Sequence, residues 1–431
     1  MPTTRRAFLA TASLLGTSAA WAGANDRLRL GVIGLGSRAG DILNALGSIS
    51  SVEVASVCDP DENRLRERAA QVEKFAGRSP KQYSDLRHIL DDKSIDAVVV
   101  ATCNHWHALA GVWACQADKH AYVEKPVSHN FLEGEKLVAA ARKYDKVVSG
   151  GTQRRSYPNF QHAVKLLQDG VVGDIYMTRW VLPSSRASIG FKPTEPPPAW
   201  LDWNLWRGPA PEQPYHANLV HYNWHWFWDF GNGEMGNNGS HSVDICHWAL
   251  GGKAKGLPTR IACSGGRFGY KDQAETPNTQ TTIWQYGDGT IVEGKLVNLY
   301  TNEPRTWEFY GTKGYMIMKE HGLFEVYLDG AKEPEPSLQA PDEPVKNYRP
   351  IDHAQLENWA DAVRAGDRSK LNAEVEEIHL SNTFCHFANI SYRVGREVHF
   401  DEKTRQFKGD EEANRLLTRK YEKDFAMPEK V

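Results

Sequence analysis

The sequence predicts an α/β unit followed by an α+β unit: a doubly wound parallel sheet first, then a domain built on an open, mainly antiparallel β-sheet. Three observations carry this reading. Short β-branched runs alternate with amphipathic helical stretches from Leu28 onward. A glycine-rich turn joins the first such run to the first helix. Later in the chain, longer strand-like segments flank Gly287-Asp288-Gly289 and Gly311-Thr312-Lys313-Gly314, which read as hairpin turns. Alternating strands and helices argue a parallel sheet with right-handed crossovers.

The chain opens on Thr4-Arg5-Arg6-Ala7-Phe8-Leu9, an apolar run and Ala20-Trp21-Ala22. A basic start, an apolar stretch and an A-x-A ending describe a secretory signal, and the paired arginines resemble the twin-arginine type. Residues 1–24 are therefore expected to be a signal peptide, and the mature protein to be exported, periplasmic or otherwise outside the cytoplasm. No other run approaches the ~18 continuous apolar residues of a membrane span.

Residues 25–150 form the first domain in this reading. Leu28 to Ile33, Val52 to Val57, Ile95 to Ala101, His120 to Val123 and Lys146 to Ser149 read as strands, while Asp61 to Phe75 and Phe131 to Tyr144 carry helical spacing. The first turn is Gly34-Leu35-Gly36-Ser37-Arg38-Ala39-Gly40. Glycines at its first two positions let the backbone turn tightly and approach a pyrophosphate, which then meets a helix N-terminus. Asp59 ends the second strand, where a ribose-binding carboxylate belongs. With Asp61 and Glu62 it would repel a 2′-phosphate, which favours NAD over NADP, a preference tempered by nearby Arg64 and Arg66. The third strand leads to Ala101-Thr102-Cys103-Asn104-His105-Trp106-His107, and the fourth ends in Glu124-Lys125-Pro126. Both lie at strand carboxyl ends, the ligand-binding edge of an open α/β sheet.

Residues 151–408 read as a substrate domain and 409–431 as a C-terminal tail. Hairpins are expected from Thr279 to Asn298 and from Trp307 to Lys319, and helices from His353 to Arg364 and Ala373 to Arg393, packing back on the first domain. Many of the 14 Trp and 16 His residues crowd between Trp200 and Trp248. Trp and Tyr offer a flat apolar face with a polar edge, which suits a sugar ring. Trp206, Tyr222 and Trp224 are candidates for such a platform, although core packing explains most of these aromatics, and Tyr222 to Trp228 alternates as a half-buried strand would.

With 51 basic and 54 acidic residues the net charge is −3, which gives nucleic-acid or anionic-membrane binding no electrostatic basis. Six cysteines show no C-x-x-C spacing, and the clustered histidines match no zinc-type motif, so no metal is expected.

Gly34-Leu35-Gly36, Asn104-His105-Trp106-His107, Glu124-Lys125-Pro126 and Gly151-Thr152-Gln153-Arg154-Arg155 together resemble the glucose–fructose oxidoreductase, inositol dehydrogenase and rhizopine-catabolism (Gfo/Idh/MocA) family. The resemblance covers nearly the whole mature chain, with Cys103 standing where relatives usually carry Pro. It implies a Rossmann-type first domain that binds NAD through Gly34, Leu35, Gly36, Ser37, Arg38, Asp59, Thr102, Asn104, His107, Glu124, Lys125 and Gln153. It implies a carbohydrate or glycoside substrate held by Arg154, Trp206, Tyr222, Trp224, Asn237, His241 and Asp244, and a homo-oligomer, dimer or tetramer, associated through the open sheet. In inositol dehydrogenase-like relatives the Lys of E-K-P, a carboxylate and a His four residues later form the catalytic site. Here Lys125 and His241 match the Lys and the His, while Asn237 occupies the carboxylate position and Asp244 follows within a turn, where it could orient His241 or bind a hydroxyl.

The chemistry expected is hydride transfer from a secondary hydroxyl, most plausibly C3, to NAD. His241 is the base, since an imidazole near its ordinary pKa of ~6.5 cycles at neutral pH, and Lys125 stabilises the alkoxide. Export implies that NAD is held tightly and regenerated in place. Two alternatives share the apparatus: an NAD-dependent glycosidase acting by transient C3 oxidation, elimination, water addition and re-reduction, and a non-catalytic nucleotide- or glycan-binding sensor.

Overall fold

Strand–helix alternation in the first part of the chain produces a six-stranded sheet in the computed structural model, which describes residues 27–340 and 349–431. The signal-peptide expectation for residues 1–24 lies outside the described residues. The sheet is built from β1 (Leu28–Ile33), β2 (Val52–Cys58), β3 (Lys81–Tyr83), β4 (Ala97–Val100), β5 (His120–Val123) and β6 (Val148–Gly150). Its order is β3-β2-β1-β4-β5-β6, and every pairing is parallel. Helices α1 (Ser37–Leu46), α2 (Glu62–Ala76), α3 (Arg87–Asp91), α4 (Asn104–Gln116) and α5 (Phe131–Lys143) make the crossovers. Asp61 caps α2 by accepting from the Asn63 and Arg64 amides, and Asn130 caps α5 by accepting from Glu133. β3 escapes sequence reading because it is a three-residue edge strand with no buried side chain. The order reverses between β1 and β4, where an open α/β sheet places its ligand crevice.

After α6 (Pro158–Gln168) the chain enters β7 (Ile175–Pro183), a long irregular excursion containing α7 (Trp203–Arg207), then α8 (Ser240–Ala249). Strands β8 (Arg260–Gly266), β9 (Thr279–Gln285), β10 (Ile291–Val297), β11 (Thr306–Gly311), β12 (Gly314–Lys319) and β13 (Phe324–Leu328) follow. With β7 and, near the end of the chain, β14 (Val398–Asp401) and β15 (Gln406–Phe407), they form a nine-stranded sheet. Only β7 and β10 pair parallel; the expected hairpins are β9–β10 and β11–β12. Trp180, Trp284 and Trp307 alternate inward from this sheet and are fully buried. Their neighbours are α8 and the long helix over Val375–Val394: the Trp284 indole donates to the Phe384 carbonyl and the Trp307 indole to that of Ser242.

The expected helices near the end of the chain are α9 (Arg349–Ala365) and α10 (Val375–Val394), and both pack back on the first domain. Leu356, Trp359 and Ala360 of α9 join the core around β1 and α1, while Ile378 of α10 joins the core under α4 and α5. The segment 409–431, expected as a tail, contains α11 (Glu411–Arg415) and is docked: Phe425 and Met427 are buried in the first domain's core. Two apolar side chains there found a partner that no local pattern reveals. The Tyr222 to Trp228 alternation is not a strand: Asn223–Trp226 is a 3-10 turn, and Trp224 and Trp226 are buried by it. The six cysteines are free thiols, five of them buried. No helix among the described residues is long and apolar enough to cross a membrane.

Candidate active site

A cavity of about 330 Å³ lies at the carboxyl ends of β1, β2, β4 and β5, a size that suits a small-molecule site. Gly34, Leu35, Gly36, Ser37, Arg38, Asp59, Thr102, Asn104, His107, Glu124 and Lys125 line it from the first domain. Trp206, Tyr222, Trp224 and Asn237 line it from the second.

The residues at one end fit a dinucleotide. Gly34 has φ +84°, and a Cβ there would lie 2.6 Å from the Thr102 backbone, so only glycine lets this turn pass. At Gly36 a Cβ would meet nothing within 4 Å, which leaves open space before the uncapped N-terminus of α1. Backbone amides and helix dipole there favour an anion such as a pyrophosphate. Asp59 is fixed by the Leu35 amide at 2.6 Å and the Asp61 amide at 2.9 Å, and burial pushes its carboxyl up to about 6. Arg64 and Arg66, which could have served a 2′-phosphate, are turned along α2 to Glu67 and Asn63. Bound in this cradle, NAD would supply the two-electron acceptor for oxidation of an alcohol.

Two lining residues are engaged with each other. Arg38 donates to Glu124 at 2.8 Å and, through its other nitrogens, to Asp352 of α9 at 2.8 and 2.9 Å. The triad fastens the glycine-rich turn to the second half of the chain. His107 spans the Pro126 and Thr102 carbonyls, and the Asn104 amide donates to Asn232.

Lys125 reaches across the cleft. Its Nζ donates to the main-chain carbonyl of Asn237 at 2.6 Å and to the side-chain Oδ1 at 3.2 Å. Asn237 sits in a π-helical turn, Met235–Gly239, that runs directly into α8, a device frequently found at functional sites. Burial lowers the Lys125 pKa to about 8, with Glu124 and Glu234 raising it and Arg38 and Arg154 lowering it. His241 follows one turn beyond Asn237, half-buried, with its Nδ1 unpaired in the protein. Lys125, Arg154, Arg38 and Arg305 stand near enough for their charges to bear on it. The ordinary imidazole pKa expected from sequence is corrected here: burial first, then these cations, hold His241 well below it. The ring is thus neutral at neutral pH.

Not every candidate joins the cleft. Asp244 neither orients His241 nor offers itself to a hydroxyl: its buried carboxylate accepts three bonds from Arg155, the shortest 2.7 Å, and one from Ser381 at 2.6 Å. Gln153 and Arg154 share a 3-10 turn after β6, outside the cavity lining; Gln153 Oε1 is buried without a partner, and Arg154 packs over Trp307. His241 likewise flanks the cavity without lining it. Of the three aromatics, Tyr222 is open to solvent at 42% exposure, whereas Trp206 stacks on Trp203 and Trp224 on His225. Among the described residues no group of three His, Cys, Asp or Glu could hold a metal; His247, for instance, lies between Ser381 and the Gly256 carbonyl.

Sequence reasoning missed the strap that crosses the ribose end of the cradle. Glu62 donates its amide to the Trp200 carbonyl and Asp202 its amide to the Pro60 carbonyl, both at 3.0 Å, and His221 Nε2 meets Asp61 at 2.7 Å. It also missed Glu234 and Arg186, which pair beneath Asn237. The contacts of Asp61 and Arg186 are remote in sequence and leave no local signal. Glu234, three residues before Asn237 in a glycine-punctuated stretch, was legible.

A dinucleotide cradle and a cross-domain Lys–Asn–His cluster define the class, a two-domain nicotinamide-dependent protein. The comparisons are specific. Residues 28–152 match the oxidoreductase-family NAD-binding Rossmann fold, and residues 186–319 and 326–427 match that family's C-terminal alpha/beta domain. The chain belongs to the Gfo/Idh/MocA oxidoreductase family. It is 31% identical over 153 residues to the myo-inositol 2-dehydrogenase of Thermotoga maritima, which is 35% of this chain and 44% of that one. The match therefore spans less than half the length of that relative. Similar solved structures include the WlbA dehydrogenase from Bordetella pertussis in complex with NADH and UDP-GlcNAcA, with a TM-score of 0.68 and 17% identity over 88% of this chain and 99% of that one. Levoglucosan dehydrogenase in complex with NADH and levoglucosan gives 0.66 and 16% over 86% and 99%. At such identity these two establish the fold alone.

Proposed function

We propose that this protein is an exported NAD-dependent dehydrogenase that oxidises a secondary hydroxyl, at C3 of a sugar or glycoside. The carrying observation is that Lys125, from the end of β5, reaches Asn237 across the cavity, one helical turn from His241. The His241 imidazole, kept neutral by burial, takes the hydroxyl proton, and the Lys125 ammonium stabilises the oxygen as charge develops, an effect worth about 3 kcal/mol in comparable sites. Tyr222 offers the solvent-open aromatic face on which a sugar ring can stack. A relative named for myo-inositol supports a polyhydroxylated substrate.

Tight retention of NAD is part of the proposal, and the strap from Trp200 to His221 over Pro60, Asp61 and Glu62 supports it. The paired arginines at Arg5-Arg6 support export of a folded, cofactor-loaded chain. Self-association through the outer face of the second sheet is supported by the stacked Tyr315 and Tyr327 and by Ile283, 47% exposed. Screening mono- and disaccharides against the purified protein while recording nicotinamide absorbance near ~340 nm tests the activity, since it reads the reacting cofactor directly. A rise with at least one sugar supports it; silence across the panel with NAD demonstrably bound overturns it.

One observation favours a redox-neutral glycosidase as the second reading: the Tyr222 hydroxyl lies 3.5 Å from Asn237 Nδ2, so a phenol reaches the site although Asn237-Asn238-Gly239-Ser240, just before His241, holds no Tyr. Release of phenol from a nitrophenyl glycoside with no accumulating ketone would select this reading over net oxidation.

A further inference from the structure

Among the described residues Asn237 is the one contact through which the second domain touches the Lys125 ammonium by hydrogen bonding, and its carboxamide is not free to turn. Its Nδ2 faces Glu234 Oε2 at 3.4 Å and the Tyr222 hydroxyl at 3.5 Å, while its Oδ1 faces Lys125 Nζ at 3.2 Å. Flipping the amide would set its N–H groups against an ammonium and its oxygen against a carboxylate, two repulsive contacts in place of two attractive ones. Glu234 itself is wholly buried. It is anchored by Arg186, whose Nε and Nη2 both donate to it at 3.2 Å, and by the Asn238 side chain. Arg186 in turn lies over the rings of Tyr222 and Trp226 at 5.7 and 5.5 Å. Six side chains, Asn237, Glu234, Asn238, Arg186, Tyr222 and Trp226, therefore form a continuous layer beneath the reacting edge of the cleft, and the only carboxylate among them is Glu234.

We propose that Glu234 is a positioning residue for Lys125, acting through the Asn237 carboxamide to aim its oxygen at the ammonium and to place a negative charge behind it. This rests on the proposed role of Lys125 but assigns a function to a residue that touches neither substrate nor cofactor. Other groups also surround the amine. Glu124 and Arg38 face it from the first domain, Arg154 from the turn after β6, and the imidazoles of His107, His225 and His241 complete the surround, with the Cys385 thiol of α10 behind. Glu124 and Glu234 are each paired with an arginine, Arg38 and Arg186, so what separates them is the path to the amine and not the bare charge. Glu234 is the carboxylate that communicates with the amine through a hydrogen-bonded neighbour.

The test reads the amine and needs no substrate. Competitive acetylation of the purified full-length protein with acetic anhydride across a pH series, followed by mass spectrometry of the Lys125 peptide, reports its ionisation. In Glu234→Gln the Lys125 amine should titrate lower than in wild type by roughly half a unit or more, because a favourable charge is gone. Glu234→Asp, which keeps the charge, should stay closer to wild type. The double variant Asn237→Asp/Glu234→Gln moves the carboxylate one layer forward and should restore or raise the titration; where Glu234→Gln alone does not fold, the double variant is read against wild type and should titrate at least as high, a lower value overturning the proposal. A folded Glu234→Gln protein whose Lys125 titrates as in wild type, or a double variant that titrates no higher than Glu234→Gln, overturns the proposal. Neither result depends on whether a sugar is oxidised, so this inference and the dehydrogenase reading can fail separately.

Discussion

The Lys125 ammonium donates to the main-chain carbonyl of Asn237 at 2.6 Å, a bond between residues 112 positions apart that joins the end of β5 to the π-turn before α8. It makes the domain interface and the candidate site the same place. A side chain at the carboxyl end of a parallel strand and a helix entrance from the other domain both aim at one cleft, each held by its own domain's core.

The first prediction is a pH profile with two different limits. Burial lowers Lys125 to about 8, so the ammonium proposed to stabilise the alkoxide is lost as pH rises through that value, and turnover should fall on the alkaline side. Burial raises Asp59 to about 6, so its carboxylate gains a proton as pH drops through that value and loses acceptor strength toward a ribose hydroxyl. NAD retention should therefore weaken below about pH 6. His241, held well below the usual imidazole range, adds no limb near neutrality. Turnover and retained nucleotide, measured separately from pH 5 to 10, check both limits.

The second concerns the strap. His221→Ala removes the ring that meets Asp61 at 2.7 Å while leaving the glycine-rich turn untouched. NAD should leave several-fold faster, consistent with about 1 kcal/mol for one hydrogen bond. Nucleotide released on denaturation, assayed after timed dialysis, reads the change.

The third separates stability from chemistry. Arg155 and Asp244, 3% and 1% exposed at their side chains, form a buried pair. Arg155→Ala leaves Asp244 without its counter-charge, and breaking such a pair costs about 3–5 kcal/mol. Chemical denaturation should show that loss. Arg155→Ala protein that stayed folded would keep its turnover, because neither residue lines the cleft.

Much of this architecture is legible in the sequence because its signals are local. β1, its glycine turn and Asp59 are set by strand periodicity and motif spacing, and α5 by the helical spacing of Phe131 to Tyr144. Lys125 and Asn237 stand at positions that the family resemblance picks out and Tyr222 belongs to the aromatic stretch, and all three line one cavity. What was not legible depends on long-range pairing. Asp244 looked available until Arg155, 89 positions earlier, was placed against it. Trp206 and Trp224 line the cavity, but the stacking of Trp203 and His225 on them has no local signal. The alternation over Tyr222 to Trp228 mimics a strand, yet Tyr222 sits at a cleft edge because a 3-10 turn follows it. Phe425 and Met427 gave no hint that the last residues close the first domain's core.

The most direct test of the central claim compares cofactor reduction in wild type, Lys125→Ala and His241→Ala, each loaded with NAD and mixed with a sugar that wild type oxidises. The account predicts that both variants retain nucleotide while the rate of the ~340 nm rise drops by about 10²–10³-fold, the loss expected on removing a group that acts on developing charge or on the transferred proton. Variants that reduce NAD at the wild-type rate would contradict it.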